Sequence, residues 1–177
     1  MITDLMPPDS EPVTLEAAKL FLRIDHDDED SLITDLIRSA REQVETLCAQ
    51  TLIKRQRQAI WTSPFSSCLR FPTSPVQSVS SLVVYYANGQ EQAMTEFETN
   101  LRAMPATLTF DIPKGVSTIV ATVNAGYGTS VDDIPMPLRQ AILLLVGQGY
   151  EQRNGIDLQN IPMMVDALIM PYRSLKL

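Results

Sequence analysis

Long apolar runs are missing from this sequence: none exceeds the six residues of Ala141–Val146, far short of the roughly 20 that a membrane-crossing helix needs. The start, MITDLMPPDSEP, has neither a basic cluster nor an apolar signal segment, so neither secretion nor a membrane partner is expected. Long tracts of Gly, Ser or Pro are also missing, and 45% of the 177 residues are apolar. A packed domain is therefore expected rather than disorder. Histidine occurs once, as His26, and cysteine twice, as Cys48 and Cys68, with no C-x-x-C pair. Three such residues fall short of the four ligands of a structural zinc site. The two thiols are read as reduced and mostly packed, the ordinary state of free cysteine. Positive charge is scarce as well. A net charge of −7 opposes tight DNA binding, which relies on Lys and Arg to neutralise phosphates. Lys54, Arg55 and Arg57 make the one tight basic group.

Catalytic templates are absent too. There is no G-x-S-x-G elbow, no P-loop and no H-E-x-x-H. NAGYGTS (124–130) is Gly-rich but lacks the G-x-G-x-x-G spacing, so it reads as a strand-to-helix turn. No catalytic residue, metal ligand or cofactor is assigned.

What is present is amphipathic patterning. Residues 1–12 carry Pro7, Pro8 and Pro12 without periodicity and read as an extended arm. Thr14 suits an N-cap, with Leu15, Ala18 and Leu22 at helical spacing over about 15–23. Leu32, Ile33, Leu36, Ile37, Ala40, Val44, Leu47 and Cys48 predict a second helix over about 28–49. Glu29, Asp35, Arg38, Arg41, Glu42 and Glu45 fall mostly on its other side. After residue 50 the period changes. KRQRQAIW begins a strand, Val76 onward reads as another, and Asn88-Gly89 is a hairpin turn leading to a return strand over 90–97. Residues 106–111 and 116–126 look like a further pair, joined through Pro113-Lys114-Gly115. Asp132 or Asp133 is expected to cap a third helix, with Pro135 and Pro137 in its first turn. Gly147 and Gly149 fit close helix packing, Asn154-Gly155 a helix stop, and 162–170 a short helix. The expected fold is α+β: a helical core from 13–54 and 132–170, a small antiparallel β insertion over 55–131, the arm, and a tail over 171–177.

The densest polar stretch is Asp25-His26-Asp27-Asp28-Glu29-Asp30. As a calcium loop it fails. An EF-hand starting at Asp25 needs Gly where Asp30 stands and a bidentate Glu where Leu36 stands. As a helix start it fits, because first-turn carboxylates meet free amides and the positive end of the macrodipole. Asp27 or Asp28 is the expected N-cap. A small metal-dependent enzyme centred on this cluster is the competing reading, and pairing of His26 with either thiol is left open by the sequence. Cys48 on the apolar stripe reads as buried and inert.

The order of segments carries a resemblance. PVTLEAAKLFLRIDHDDEDSLITDLIRSAREQVETLCAQTLI resembles the N-terminal signature of tailed-phage head–tail connector (adaptor) proteins. Lys19, Leu22, Arg23, Asp27, Asp28, Leu32, Ile33, Ile37, Ala40, Arg41 and Glu45 match it position by position. FPTSPVQSVSSLVVYYANGQ, VNAGYG, IPMPLRQAILLLVGQGYEQRNG and LIMPYR resemble later landmarks, best in members with a β insertion between the helices. The likeness spans about 12–173, and Gly147-Gln148-Gly149 departs from the bulkier residues that relatives often carry. It implies a structural virion protein of the neck, made in the host cytoplasm. Such a protein forms a ring, commonly of twelve subunits, beneath the portal, and extends the DNA channel. It catalyses nothing and offers a platform to the next neck or tail protein. Another neck role, as stopper or tail-completion protein, is the nearest rival.

Under that resemblance two sets of residues gain expected roles. Asp25, Asp27, Asp28, Glu29 and Asp30 either line the channel, where repetition around a ring would build a negative field that DNA passes without sticking, or form a solvated outer face. Pro171, Tyr172, Arg173, Leu175 and Leu177 combine apolar anchors with a cation and either dock onto the portal or form an ordinary chain end.

Overall fold

The computed structural model describes residues 1–152 and 161–173, so Asn154-Gly155, Leu175 and Leu177 lie outside the described residues. The chain forms two compact units, Met1–Pro8 with Lys54–Tyr127, and Asp9–Ile53 with Gly128–Leu177. It passes from one unit to the other after residues 8, 53 and 127. The fold is α+β.

In the helical unit, Thr14 starts α1 (Leu15–Leu22). Its hydroxyl accepts the Ala17 amide at 3.1 Å, one of the free donors of the first turn. Arg23 ends the helix in the left-handed region, φ 60°. In α2 (Asp30–Cys48), Ile33, Ile37, Ala40, Val44 and Cys48 are buried, and their three- and four-residue spacing makes one stripe. α3 (Met136–Glu151) buries Leu138, Ala141, Ile142, Leu145 and Val146, and α4 (Met163–Ile169) buries Val165 and Ile169. These stripes meet, α2 against α3 and α3 against α4. Each large aliphatic side chain removed from water contributes roughly 1.5–3 kcal/mol. Gly147 and Gly149 serve the close approach. An added Cβ would stand 3.1 Å from the Phe21 ring at Gly147 and 2.8 Å from the end of Leu36 at Gly149.

The start of α3 differs from the sequence expectation. Asp132 and Asp133 belong to a separate 3-10 turn, Val131–Asp133. There the Asp133 carboxylate accepts the Ser130 amide at 3.0 Å and the Ser130 hydroxyl accepts the Asp132 amide at 3.3 Å. Pro135 then precedes α3 and Pro137 sits in its first turn, where a missing amide costs nothing.

The β unit holds β1 (Ile2–Asp4), β2 (Arg55–Thr62), β3 (Leu69–Arg70), β4 (Val76–Tyr86), β5 (Glu91–Ala93), β6 (Glu98–Asn100), β7 (Thr107–Thr109) and β8 (Val116–Ala125). One antiparallel sheet runs β1-β2-β8-β4-β5 and a second β3-β7-β6. In β8 the buried residues Ile119, Ala121, Val123 and Ala125 alternate with half-buried Val120, Thr122 and Asn124, the period-2 signature of a one-sided sheet. They join Leu82, Val84, Leu69, Phe71 and Leu108 in a single core. Gly89 takes φ 85° in the β4–β5 turn, and its amide bonds to the Tyr86 carbonyl at 3.0 Å.

Two features correct the sequence expectation. The expected partner strands 106–111 and 116–126 lie in different sheets. β8 pairs with β2 and β4, while β7 pairs with β3 and β6. Two long neighbours give β8 a ladder that the three residues of β7 cannot match. The start of the chain is also not a bare arm, since Ile2–Asp4 pair with Ala59–Arg57 of β2. Asp4 is fixed there by Arg55 at 3.0 Å and Arg57 at 2.6 Å.

Candidate functional site

The acidic stretch is the joint between α1 and α2, and it is organised by a lysine. Lys19 of α1 donates to Asp27 at 2.5 Å and to Asp30, the first residue of α2, at 2.8 Å. Hydrogen bonds donated to these two carboxylates, Asp27 first, raise the Lys19 pKa above its ordinary 10.5. The same bond to Lys19 lowers Asp27 below 3.8. Neither Asp27 nor Asp28 caps α2. The cap residue is Glu29, without a side-chain cap bond, and the Asp27 carboxylate is turned to Lys19. Glu29 accepts a short hydrogen bond from the Tyr150 hydroxyl of α3. Asp28 stands 3.9 Å from His26, and Asp25 is exposed. Among the described residues, no group of three or more His, Cys, Asp or Glu side chains is arranged to hold a metal ion.

The thiols divide. Cys48 is buried, and burial pushes its pKa up to about 11, which keeps it protonated and a poor nucleophile. Its thiol faces the Ile169 carbonyl at 4.0 Å, not His26. Cys68 is exposed, against the expectation of a packed thiol. It lies in the turn just before the two-residue β3, too short an element to bury its flank.

The tail begins inside the fold. Pro171 and Tyr172 belong to a 3-10 turn, Met170–Tyr172. The Tyr172 carbonyl accepts from Gln50 Nε2 at 2.7 Å, and Arg173 pairs with Asp166 of α4 at 2.7 Å. These contacts fix the chain as far as Arg173.

One constellation was not legible as such. Arg41, assigned by pattern to the polar side of α2, has a side chain only 3% exposed. Its guanidinium donates to Glu11 at 2.7 Å, Glu45 at 3.1 Å and Glu42 at 3.2 Å. The other oxygen of Glu45 accepts the Leu52 amide at 2.7 Å. Together these bonds tie the segment before α1 and the segment after α2 to the middle of α2. The available signal was spacing: Arg41 lies four residues after buried Ile37 and three before buried Val44, on the edge of the stripe.

The decisive comparison is with sequence families. The family described as phage gp6-like head-tail connector protein matches residues 12–121, more than half of the chain. This protein belongs to that family. The connector's fold recurs in solved structures. A chain in the neck of an empty gene transfer agent particle, computed with C6 symmetry, is 23% identical with a TM-score of 0.84. A chain in the virion of a native gene transfer agent particle is 24% identical with a TM-score of 0.83. A chain in the neck of a native particle computed with C12 symmetry is 25% identical with a TM-score of 0.74. Each likeness covers all of this connector and 97% of the other chain. No curated protein sequence matches. The role that family and fold support is structural, the joining of head to tail.

Proposed function

We propose that this connector assembles as a closed ring of twelve in the neck of a phage or phage-like particle. It sits beneath the portal and performs no catalytic step. The observation that carries the reading is the end-to-end likeness to a neck chain of a particle computed with C12 symmetry. A twelve-membered ring also satisfies the sixfold symmetry applied to the related particle. In a ring each copy offers two different patches to its neighbours. Exposed Leu20 on α1 and Met163 and Met164 on α4 are apolar surface available to such contacts.

The acidic joint contributes the channel lining in this proposal. Asp27 and Asp30 share Lys19 and Glu29 holds Tyr150, so exposed Asp25 and Asp28 supply most of the local field. Repeated around a ring, that field keeps transiting DNA from sticking. Pro171, Tyr172 and Arg173 root the portal-docking tail on the helical unit, and Leu175 and Leu177 provide its anchors. Assembly takes place in the host cytoplasm before the particle is complete.

Imaging the neck of purified particles tests the reading. Twelve copies seated directly on the portal support it. A position one ring further down, as expected of a stopper or tail-completion protein, refutes it. Removing residues 174–177 leaves the Arg173–Asp166 pair in place. That truncation should abolish portal binding in a pull-down while the circular dichroism spectrum stays unchanged; retained binding refutes the docking role.

A further inference from the structure

The β6–β7 ladder stops early. Its last pair is Glu98 with Thr109. The same antiparallel register would next place Phe97 against Phe110, Glu96 against Asp111 and Thr95 against Ile112. Among the described residues no backbone hydrogen bond joins 95–97 to 110–112. The two stretches are instead walls of an open groove of about 870 Å³, which Phe65–Ser67 also line. Phe65, Phe97, Phe110 and Ile112 are half-buried against the core of the β unit, so the floor is apolar. Glu96, Glu98 and Asp111 are exposed around it, and among the described residues no Lys, Arg or His lines it. β6 is moreover the edge of its sheet.

We infer that this groove receives an extended segment of a neighbouring protein in which apolar and basic side chains alternate. Main-chain groups that leave a ladder without new partners remain available for strand-type pairing. An extended chain presents alternate residues to opposite sides, so one row fills the space beside Phe65, Phe97 and Phe110 while the other reaches the rim. A rim with three carboxylates and no cation favours lysine or arginine in that second row and disfavours acidic segments and nucleic acid. The inference concerns the β unit alone and does not depend on ring size or on the tail.

The test uses the whole chain, isotopically labelled for NMR. The probes are two short capped peptides, one alternating arginine with valine and the other alternating glutamate with valine. The arginine peptide is expected to shift amide signals of residues 65–67, 95–98 and 109–112, and the glutamate peptide to leave them unmoved. Combined Glu96→Lys, Glu98→Lys and Asp111→Lys should weaken the arginine peptide by about tenfold or more and admit the glutamate peptide. Should the triple variant fold poorly, Asp111→Lys alone, outside any strand, should give a smaller loss in the same direction. Equal binding of both peptides, shifts elsewhere in the chain, or indifference to charge reversal overturns the inference. Concentration-dependent self-association through this groove, competed by the arginine peptide, also overturns it, because the occupant would then be a second copy.

Discussion

The two units hold their N-terminal segments by ion clusters of opposite composition. In the helical unit one cation, Arg41, is surrounded by Glu11, Glu42 and Glu45. In the β unit one carboxylate, Asp4, is shared by Arg55 and Arg57. Burial separates them further. The Arg41 and Glu45 side chains are 3% and 8% exposed, whereas Asp4 keeps 37% beside Arg55 and Arg57 at 4% and 11%. The same device therefore carries different weight. Removing Arg41 takes the cation from a buried carboxylate, while water reaches the site of the part-exposed Asp4.

Breaking the drier cluster should have the largest effect. Arg41→Ala removes the cation facing the buried Glu45 carboxylate and frees Glu11, and should lower stability by about 3–5 kcal/mol in urea unfolding. Arg41→Lys should recover only part of this, because an ammonium cannot serve three carboxylates in the plane of a guanidinium. Asp4→Asn in the β unit should cost less, about 1–2 kcal/mol, seen as a smaller drop in the urea midpoint. Equal losses for Arg41→Ala and Asp4→Asn would erase the contrast.

The smallest effect sharpens it at the surface. Asp27 has its pKa lowered, so its bond to Lys19 contributes above the ordinary 3.8 and is lost as pH falls through the lowered value. Lys19 has its pKa raised, so its share is present below 10.5 and lost as pH rises through the raised value. The melting-temperature difference between wild type and Lys19→Met should therefore be flat between those limits and shrink at both ends. A difference that persists at strongly acidic pH would contradict the pairing.

Legibility in the sequence followed distance along the chain. The Thr14 cap, the α2 stripe and the Asn88-Gly89 turn rest on contacts within a few residues, and all were readable from spacing. Strand partners were not. Pro113-Lys114-Gly115 pointed to a local hairpin, but β8 prefers β2 and β4, some 60 and 40 residues earlier, because those ladders are longer. The Asp27 cap failed for a related reason, since propensity names a good cap but Lys19, eight residues back, claims the carboxylate. The groove beside Phe97 and Phe110 left no motif at all, because it arises from a ladder that ends.

The thrice-crossing path of the chain has a consequence for anyone wishing to move the β unit between scaffolds. Cut out as 54–127 it is not a cassette. It would leave behind its outermost strand, unclothe the margin of β2, and take away the carboxylate that Arg55 and Arg57 share. A faithful transplant must bring residues 1–8 along on a tether. The opening of the polypeptide thus serves as the missing stave of a sheet made mostly from its middle.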